Sequence, residues 1–152
     1  MALYFPMFVD LSQKRVLFVG AGAVAARRIR TILDFAGSVT VVAPEADPDI
    51  LALADEERID LHRRRFSDND LDHADIVLVA TGHSGTDIRI AGMCRRNKIP
   101  VNVASDETLC DFYFPGIARR DPLVVGVTAS GEDHTLAAKA TAYFKNLIEK
   151  KD

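Results

Sequence analysis

Six residues govern what this chain can fold into: Gly20-Ala21-Gly22-Ala23-Val24-Ala25, with the spacing G-x-G-x-x-A. The run before them, Arg15-Val16-Leu17-Phe18-Val19, is short, continuous and apolar, as suits a strand buried on both faces of a parallel sheet. After them, Val24, Ile29, Ile32, Leu33 and Ala36 recur at helical spacing from Ala23 to Ala36, and Gly37 stands where a C-terminal cap belongs. Val39-Thr40-Val41-Val42-Ala43 is β-branched and halts at Pro44, which supplies a second strand. Strand, glycine loop, helix and strand make a βαβ unit, and such a crossover joins parallel strands.

The rhythm continues. A short helix near Asp49 to Glu56 leads to the alternating Ile59-Asp60-Leu61-His62, a third and partly exposed strand. Asp75-Ile76-Val77-Leu78-Val79-Ala80 reads as a fourth, buried strand ending in the polar turn Thr81-Gly82-His83-Ser84-Gly85. Thr86 to Asn97 is helical by pattern, with Ile88, Ala91, Met93 and Cys94 inward, and Pro100-Val101-Asn102-Val103 makes a fifth strand. Beyond Asp111 the alternation breaks. Phe112-Tyr113-Phe114-Pro115 and Leu123 to Thr128 read as two strands with no helix-length segment between them, expected to pair locally or with a partner chain. A last helix, about His134 to Glu149, carries Leu136, Ala140, Phe144, Leu147 and Ile148 as an apolar stripe with no evident partner in the chain. The expected fold is α/β: a Rossmann-type parallel sheet over residues 1–111, then a strand pair and helix over 112–152 within the same compact unit.

At 152 residues the chain has room for one such core and no second full domain. Its net charge of −3 gives no general attraction to nucleic acid or anionic lipid, so neither is expected as a partner. No apolar run approaches the roughly 20 residues of a membrane span, and a cytoplasmic protein is expected. Cys94 and Cys110 are too few for a disulfide framework or a zinc ligand set and read as reduced structural thiols.

The glycine loop has the chemistry of a dinucleotide site. Gly20 permits a tight turn, Gly22 lets backbone approach a pyrophosphate, and the small Ala25 allows helix and strand to pack closely. The pyrophosphate would rest on free N–H groups at the helix N-terminus, where the macrodipole favours negative charge. After the second strand only Glu45 is placed to meet ribose hydroxyls, and it reads equally as a surface glutamate beyond Pro44. No arginine follows that strand at once to take a 2′-phosphate, which tilts the cofactor toward NAD.

Further motifs lie in order along the chain: Tyr4-Phe5-Pro6 with Asp10-Leu11, the glycine loop with Val24-Ala25, Val41-Val42-Ala43-Pro44, Ala80-Thr81, Pro100-Val101-Asn102-Val103 and Phe112-Tyr113-Phe114-Pro115. Together they resemble the precorrin-2 dehydrogenase domain of siroheme synthases, over nearly the whole chain and in a short form without the methyltransferase domain of some relatives. The resemblance implies NAD-dependent oxidation of precorrin-2 to sirohydrochlorin in siroheme or other modified tetrapyrrole biosynthesis, with iron insertion as a second activity of some members. It implies a homodimer formed through the region after the fifth strand, making 112–152 a dimerisation and substrate-cleft region. It carries over Gly20, Gly22, Ala23, Val24, Ala43, Pro44 and Thr81 as cofactor contacts, with Asn102 supporting the fifth-strand turn.

Two positions depart from the pattern. Members continue the fifth strand as Val-Asn-Val-Val-Asp, and that aspartate is credited with both activities; the matched residue here is Ser105, with Asp106 one position later. The family's Thr-Gly-Gly-x-Ser-Pro turn becomes Ala129-Ser130-Gly131-Glu132-Asp133-His134. Oxidising precorrin-2 removes a hydride and a proton, so a general base should assist. Asp106, Asp133 and His134 are the candidates, in that order, alongside Ser105; Asp133 reads equally as the N-cap of the last helix, and His83 and His134 as surface histidines. The replaced aspartate argues against iron insertion, and no metal site is expected. A substrate with eight carboxylates calls for cations, and Arg119 and Arg120 are best placed, with Lys139 a further option, unless all three are solvated surface. A module that binds NAD or a tetrapyrrole without turnover is the alternative, and Ser105 favours it.

Overall fold

The structure, a computed structural model, describes residues 4–150. Five strands form one parallel sheet: β1 (Arg15–Val19), β2 (Ser38–Val42), β3 (Asp60–His62), β4 (Ile76–Val79) and β5 (Val101–Val103), in the spatial order β3-β2-β1-β4-β5. The chain enters at the centre, works outward to β3, then crosses back to lay β4 against the free side of β1. This reversal puts a topological switch point between β1 and β4, where open α/β sheets take ligands beyond the carboxyl ends of their strands. Every strand pair in the sheet is parallel, as the uninterrupted apolar runs require.

Helices α1 (Ala23–Ile32), α2 (Pro48–Asp55) and α3 (Ser84–Arg96) supply three of the four connections, and the 3-10 segment Asp68–His73 carries the chain from β3 to β4. Val16 to Val19, Val41, Val42, Val77 to Val79, Val101 and Val103 are buried, and Ala25, Ala26, Ile29 and Ile32 of α1 and Ile90, Ala91, Met93 and Cys94 of α3 join them in the core. Asp47 caps α2 by accepting from the Asp49 N–H at 2.9 Å, with Pro48 opening the helix. Arg15 and Asp75 clasp the starts of β1 and β4. The Asp75 carboxylate takes the Arg15 guanidinium at 3.0 and 3.1 Å and the Arg15 N–H at 2.8 Å.

The helices differ from the sequence expectation in extent and phase. α1 ends at Ile32, four residues before Ala36, because Phe35 and Ala36 both turn back to the Ile32 carbonyl and Gly37 donates to Leu11 at 2.8 Å. Val24, expected inward, is exposed. α3 begins at Ser84, two residues early, and buries Asp87, Ile90, Ala91 and Cys94, while Ile88, expected inward, faces out.

By its contacts the chain divides into two compact units, Val9–Phe112 and a smaller one that takes the described residues up to Phe8 and from Tyr113 onward. Phe112 to Pro115, at the boundary into the smaller unit, is not a strand. Pro115 has no N–H to give a ladder, and the strand starts after it as β6 (Gly116–Arg120), paired antiparallel with β7 (Leu123–Val127). The stripe of α4 (His134–Glu149) has a partner within this unit, since the helix packs on β6 and β7. The expected stripe splits: Ala140, Phe144 and Ile148 are partly or fully buried, whereas Leu136 and Leu147 are exposed, as is Tyr143 outside the stripe.

Candidate functional site

The glycine loop leaves the carboxyl end of β1 at the switch point. Gly20 donates to the Val42 carbonyl at 3.0 Å and holds φ at +102°, a conformation that side chains rarely adopt. A Cβ on Gly20 would lie 2.1 Å from the Ala80 carbonyl oxygen at the end of β4, so only glycine allows the two strand ends to approach this closely. Gly22 is different. It is the N-cap of α1, has ordinary extended backbone, and a Cβ there would meet nothing within 4 Å. No side chain caps α1 and its first turn holds no acidic residue. Its N–H groups and positive dipole end therefore face open space bounded by glycine, which fits a pyrophosphate. Ala25 is fully buried, as close helix packing needs, and Ala23 and the exposed Val24 stand on the open side of the same turn.

On the other side of β1, Ala43 is buried while Pro44 and Glu45 are exposed. The Ala43 N–H donates to the His62 carbonyl at 3.1 Å, extending the Val42–His62 register by one residue. Arg63, next in the chain and exposed, is thereby brought beside the end of β2. No arginine follows β2 at once; the triplet Arg63-Arg64-Arg65 after the neighbouring strand is the signal in the sequence. Arg64 is held by Asp70 at 2.6 and 2.9 Å.

Beyond β4 and β5 the structure joins two residues that the sequence singled out, through a third that it missed. The Thr81 hydroxyl accepts from the His83 N–H at 3.1 Å and donates to one carboxylate oxygen of Asp87. The other oxygen accepts from the Ser105 hydroxyl at 3.0 Å. Asp87 is 1 % exposed, and among the described residues it is the one charged side chain so buried. A signal existed: Asp87, Ile90, Ala91 and Cys94 follow one helical stripe.

Asp106, next to Ser105, caps the short 3-10 turn Glu107–Leu109, accepting from the Thr108 N–H at 3.0 Å and its hydroxyl at 2.7 Å. Asn102 is buried with both ends of its amide engaged, accepting from Arg28 at 2.7 Å and donating to the Phe112 carbonyl at 2.8 Å. Burial, helped by neighbouring Arg27, holds the Arg28 guanidinium below its ordinary pKa. Burial also pushes the Cys94 thiol up to about 11 and raises that of Cys110, so both stay protonated near neutrality.

In the smaller unit Asp133 caps α4, accepting from the Leu136 N–H at 2.8 Å, and exposed His134 opens that helix. Arg120 donates to the Ile148 carbonyl at 2.7 Å, satisfying the far end of α4. Arg119 lies 3.6 Å from Asp121, and Lys139 is exposed on α4. Among the described residues no cluster of His, Cys, Asp and Glu has the makings of a metal site, and no helix is long and apolar enough to cross a membrane.

Comparison with known proteins adds three kinds of likeness. Residues 7–116 match a family model described as "Putative NAD(P)-binding". Siroheme synthases are similar over most of this chain: that of Pseudoalteromonas atlantica is 39 % identical over 128 residues, covering 84 % of this chain and 28 % of the relative. Those of Pseudomonas entomophila and Methylococcus capsulatus are 37 % identical over 134 residues and 35 % over 145, covering 88 % and 95 % of this chain and 29 % and 31 % of theirs. The chain thus spans about three-tenths of the length of these relatives. A solved structure titled "SirC, precorrin-2 dehydrogenase" shares the fold with a TM-score of 0.78 at 23 % identity, over 95 % of this chain and 71 % of that one.

Proposed function

The chain belongs to the NAD(P)-binding family whose model spans residues 7–116, and we propose that it is a dehydrogenase oxidising precorrin-2 to sirohydrochlorin with NAD. The observation that carries this reading is the loop at the β1–β4 switch point, closed by the approach of Gly20 to Ala80 and open at Gly22 over an uncapped helix N-terminus. Likeness to siroheme synthases over most of the chain directs that site toward tetrapyrrole chemistry.

In this reading the α1 N-terminus, with Gly20, Gly22, Ala23 and Val24, holds the pyrophosphate, Ala43 and Pro44 flank the adenosine, and Thr81 stands at the nicotinamide side. Bound NAD would supply the hydride acceptor. NAD is preferred to NADP because Glu45, on the loop after β2, would accept ribose hydroxyls and repel a 2′-phosphate. Arg63 is the feature that favours NADP. Asn102 serves by holding β5, and Arg119 with Arg120 supplies positive charge for substrate carboxylates. Loss of the substrate proton belongs to the polar groups Ser105 and Asp106, or to Asp133 and His134. Serine at 105 sets iron insertion outside the proposed activity. A homodimer is supported by the exposed Leu136, Tyr143 and Leu147 on α4.

Anaerobic incubation of precorrin-2 with the protein and NAD, followed by sirohydrochlorin absorbance, tests the activity. Product that depends on both NAD and protein is expected. Its absence, together with calorimetric binding of NAD, would establish the module without turnover instead. Sedimentation of the purified chain tests the dimer, which a monomer at micromolar concentration would exclude.

A further inference from the structure

We propose that Ser105 is the group that takes the substrate proton and that Asp87, acting through it, is the buried carboxylate that receives the proton in turn. This rests on the dehydrogenase reading and names a residue that the sequence comparison with the family did not. Asp87 lies on the first turn of α3, and its two oxygens accept hydrogen bonds from hydroxyls on the loops that follow β4 and β5. Tying two loops together does not by itself call for a charge. Burying a carboxylate carries a desolvation penalty that a neutral partner for the same hydroxyls avoids. What a carboxylate adds is the capacity to accept a proton.

Ser105 supplies the path to it. The residue is exposed while Asp87 is sealed, so the 3.0 Å hydrogen bond from Ser105 Oγ to Asp87 Oδ2 leads from the surface to the buried base. The step balances without a further reactant. As the hydride leaves the tetrapyrrole for the dinucleotide, the C–H bond at the adjoining position breaks, its electron pair stays in the tetrapyrrole as a new double bond, and the proton passes to Ser105 Oγ. The serine's own proton moves to Asp87 Oδ2, and the neutral Asp87 later returns it to water by the same route. The Thr81 hydroxyl, on the other oxygen, fixes the carboxylate's orientation. Asp106, adjacent in sequence, has its Oδ1 occupied by Thr108.

The test compares the whole chain with Asp87→Asn and Ser105→Ala, together and singly. For Asp87→Asn the expected result is a fall in kcat of about 10²–10³-fold with calorimetric NAD affinity within about threefold of the parent. Ser105→Ala, an exposed change that leaves the core intact, should fall similarly, and the double variant should fall no further than the worse single, as parts of one relay do. Isotope-edited infrared spectra of the protein without cofactor should show an Asp87 carboxylate band that shifts in Ser105→Ala and is lost in Asp87→Asn. Unchanged kcat in either single variant, with the parent active, overturns the relay while leaving the dehydrogenase intact. An inactive parent overturns both.

Discussion

A methyl group on Gly20 would sit 2.1 Å from the carbonyl oxygen of Ala80, so the distance between the ends of β1 and β4 is set by the absence of a side chain. The strain of a positive φ adds to the clash, because Gly20 lies at +102°. Gly20→Ala should therefore cost about 2–4 kcal/mol of folding stability, read as a lower urea midpoint with an unchanged slope. A stability equal to the parent's would mean that the two strand ends are free to separate.

Gly22 makes the opposite prediction. Aspartate there would cap α1 and complement its dipole, so Gly22→Asp should keep or raise the melting temperature, by up to about 1 kcal/mol in stability. The same carboxylate would stand in the space assigned to the pyrophosphate. NAD affinity should drop at least about 100-fold from displaced contact and charge repulsion combined. Calorimetric titration beside a thermal melt separates the two effects, and parallel loss of stability and binding would count against the pyrophosphate assignment.

The residues that could be read from sequence are those whose signal is local. Val16 to Val19 and Val77 to Val79 announce buried parallel strands by being apolar throughout, and the glycine spacing announces the turn between β1 and α1. What was not legible depended on helical phase or on neighbours distant in sequence. The apolar Ile88 suggested a phase for α3 that leaves Asp87 outside, yet burial follows the stripe through Asp87, Ile90, Ala91 and Cys94. The side chain of Asp87 is tolerated there because hydroxyls 6 residues before it and 18 after it meet its oxygens, a pairing that no local pattern carries. Arg63 is likewise invisible at β2 until β3 is laid beside it in register. The aromatic run Phe112 to Phe114 has strand composition, but Pro115 delays the ladder to Gly116.

The placement of Arg63 beside the end of β2 makes the proposed preference for NAD over NADP testable. Arg63→Ala should weaken NADP binding by about 5–30-fold, the worth of one charge-assisted phosphate contact, and leave NAD binding unchanged. Glu45→Gln should shift preference the other way, favouring NADP. Competition of each cofactor against a fluorescent dinucleotide reads both. Equal losses for NAD and NADP in Arg63→Ala would place the arginine away from the 2′ position.

The Arg15–Asp75 clasp predicts an acid dependence. The Arg15 guanidinium and backbone N–H hold the Asp75 carboxyl down to about 2 from its ordinary 3.8. Between those values the unfolded chain binds a proton that the folded chain refuses, so unfolding becomes more favourable as pH falls. The contribution is fully present above about pH 4 and is lost as pH drops toward 2, the range set by these two pKa values. Urea unfolding at steps from pH 5 to pH 2 should show the parent's advantage over Asp75→Asn shrinking through that range. A gap that stays constant would show that the carboxylate titrates alike in both states.

Asn102 allows a sharper separation of structure from cofactor contact. Its carbonyl oxygen takes the half-buried Arg28 guanidinium, and its amide N–H serves the Phe112 carbonyl, so each end satisfies a group that water reaches poorly. Asn102→Leu removes an acceptor from one and the donor from the other, at an expected cost of about 2–4 kcal/mol. Asn102→Asp keeps the acceptor and adds charge attraction to Arg28, but turns an oxygen toward the Phe112 carbonyl. It should lose less, about 1–2 kcal/mol. Chemical unfolding ranks the three proteins, and NAD titration below the unfolding range should give equal affinities. If Asn102→Asp bound NAD much more weakly than the parent while remaining folded, the amide would have a direct part in holding the dinucleotide.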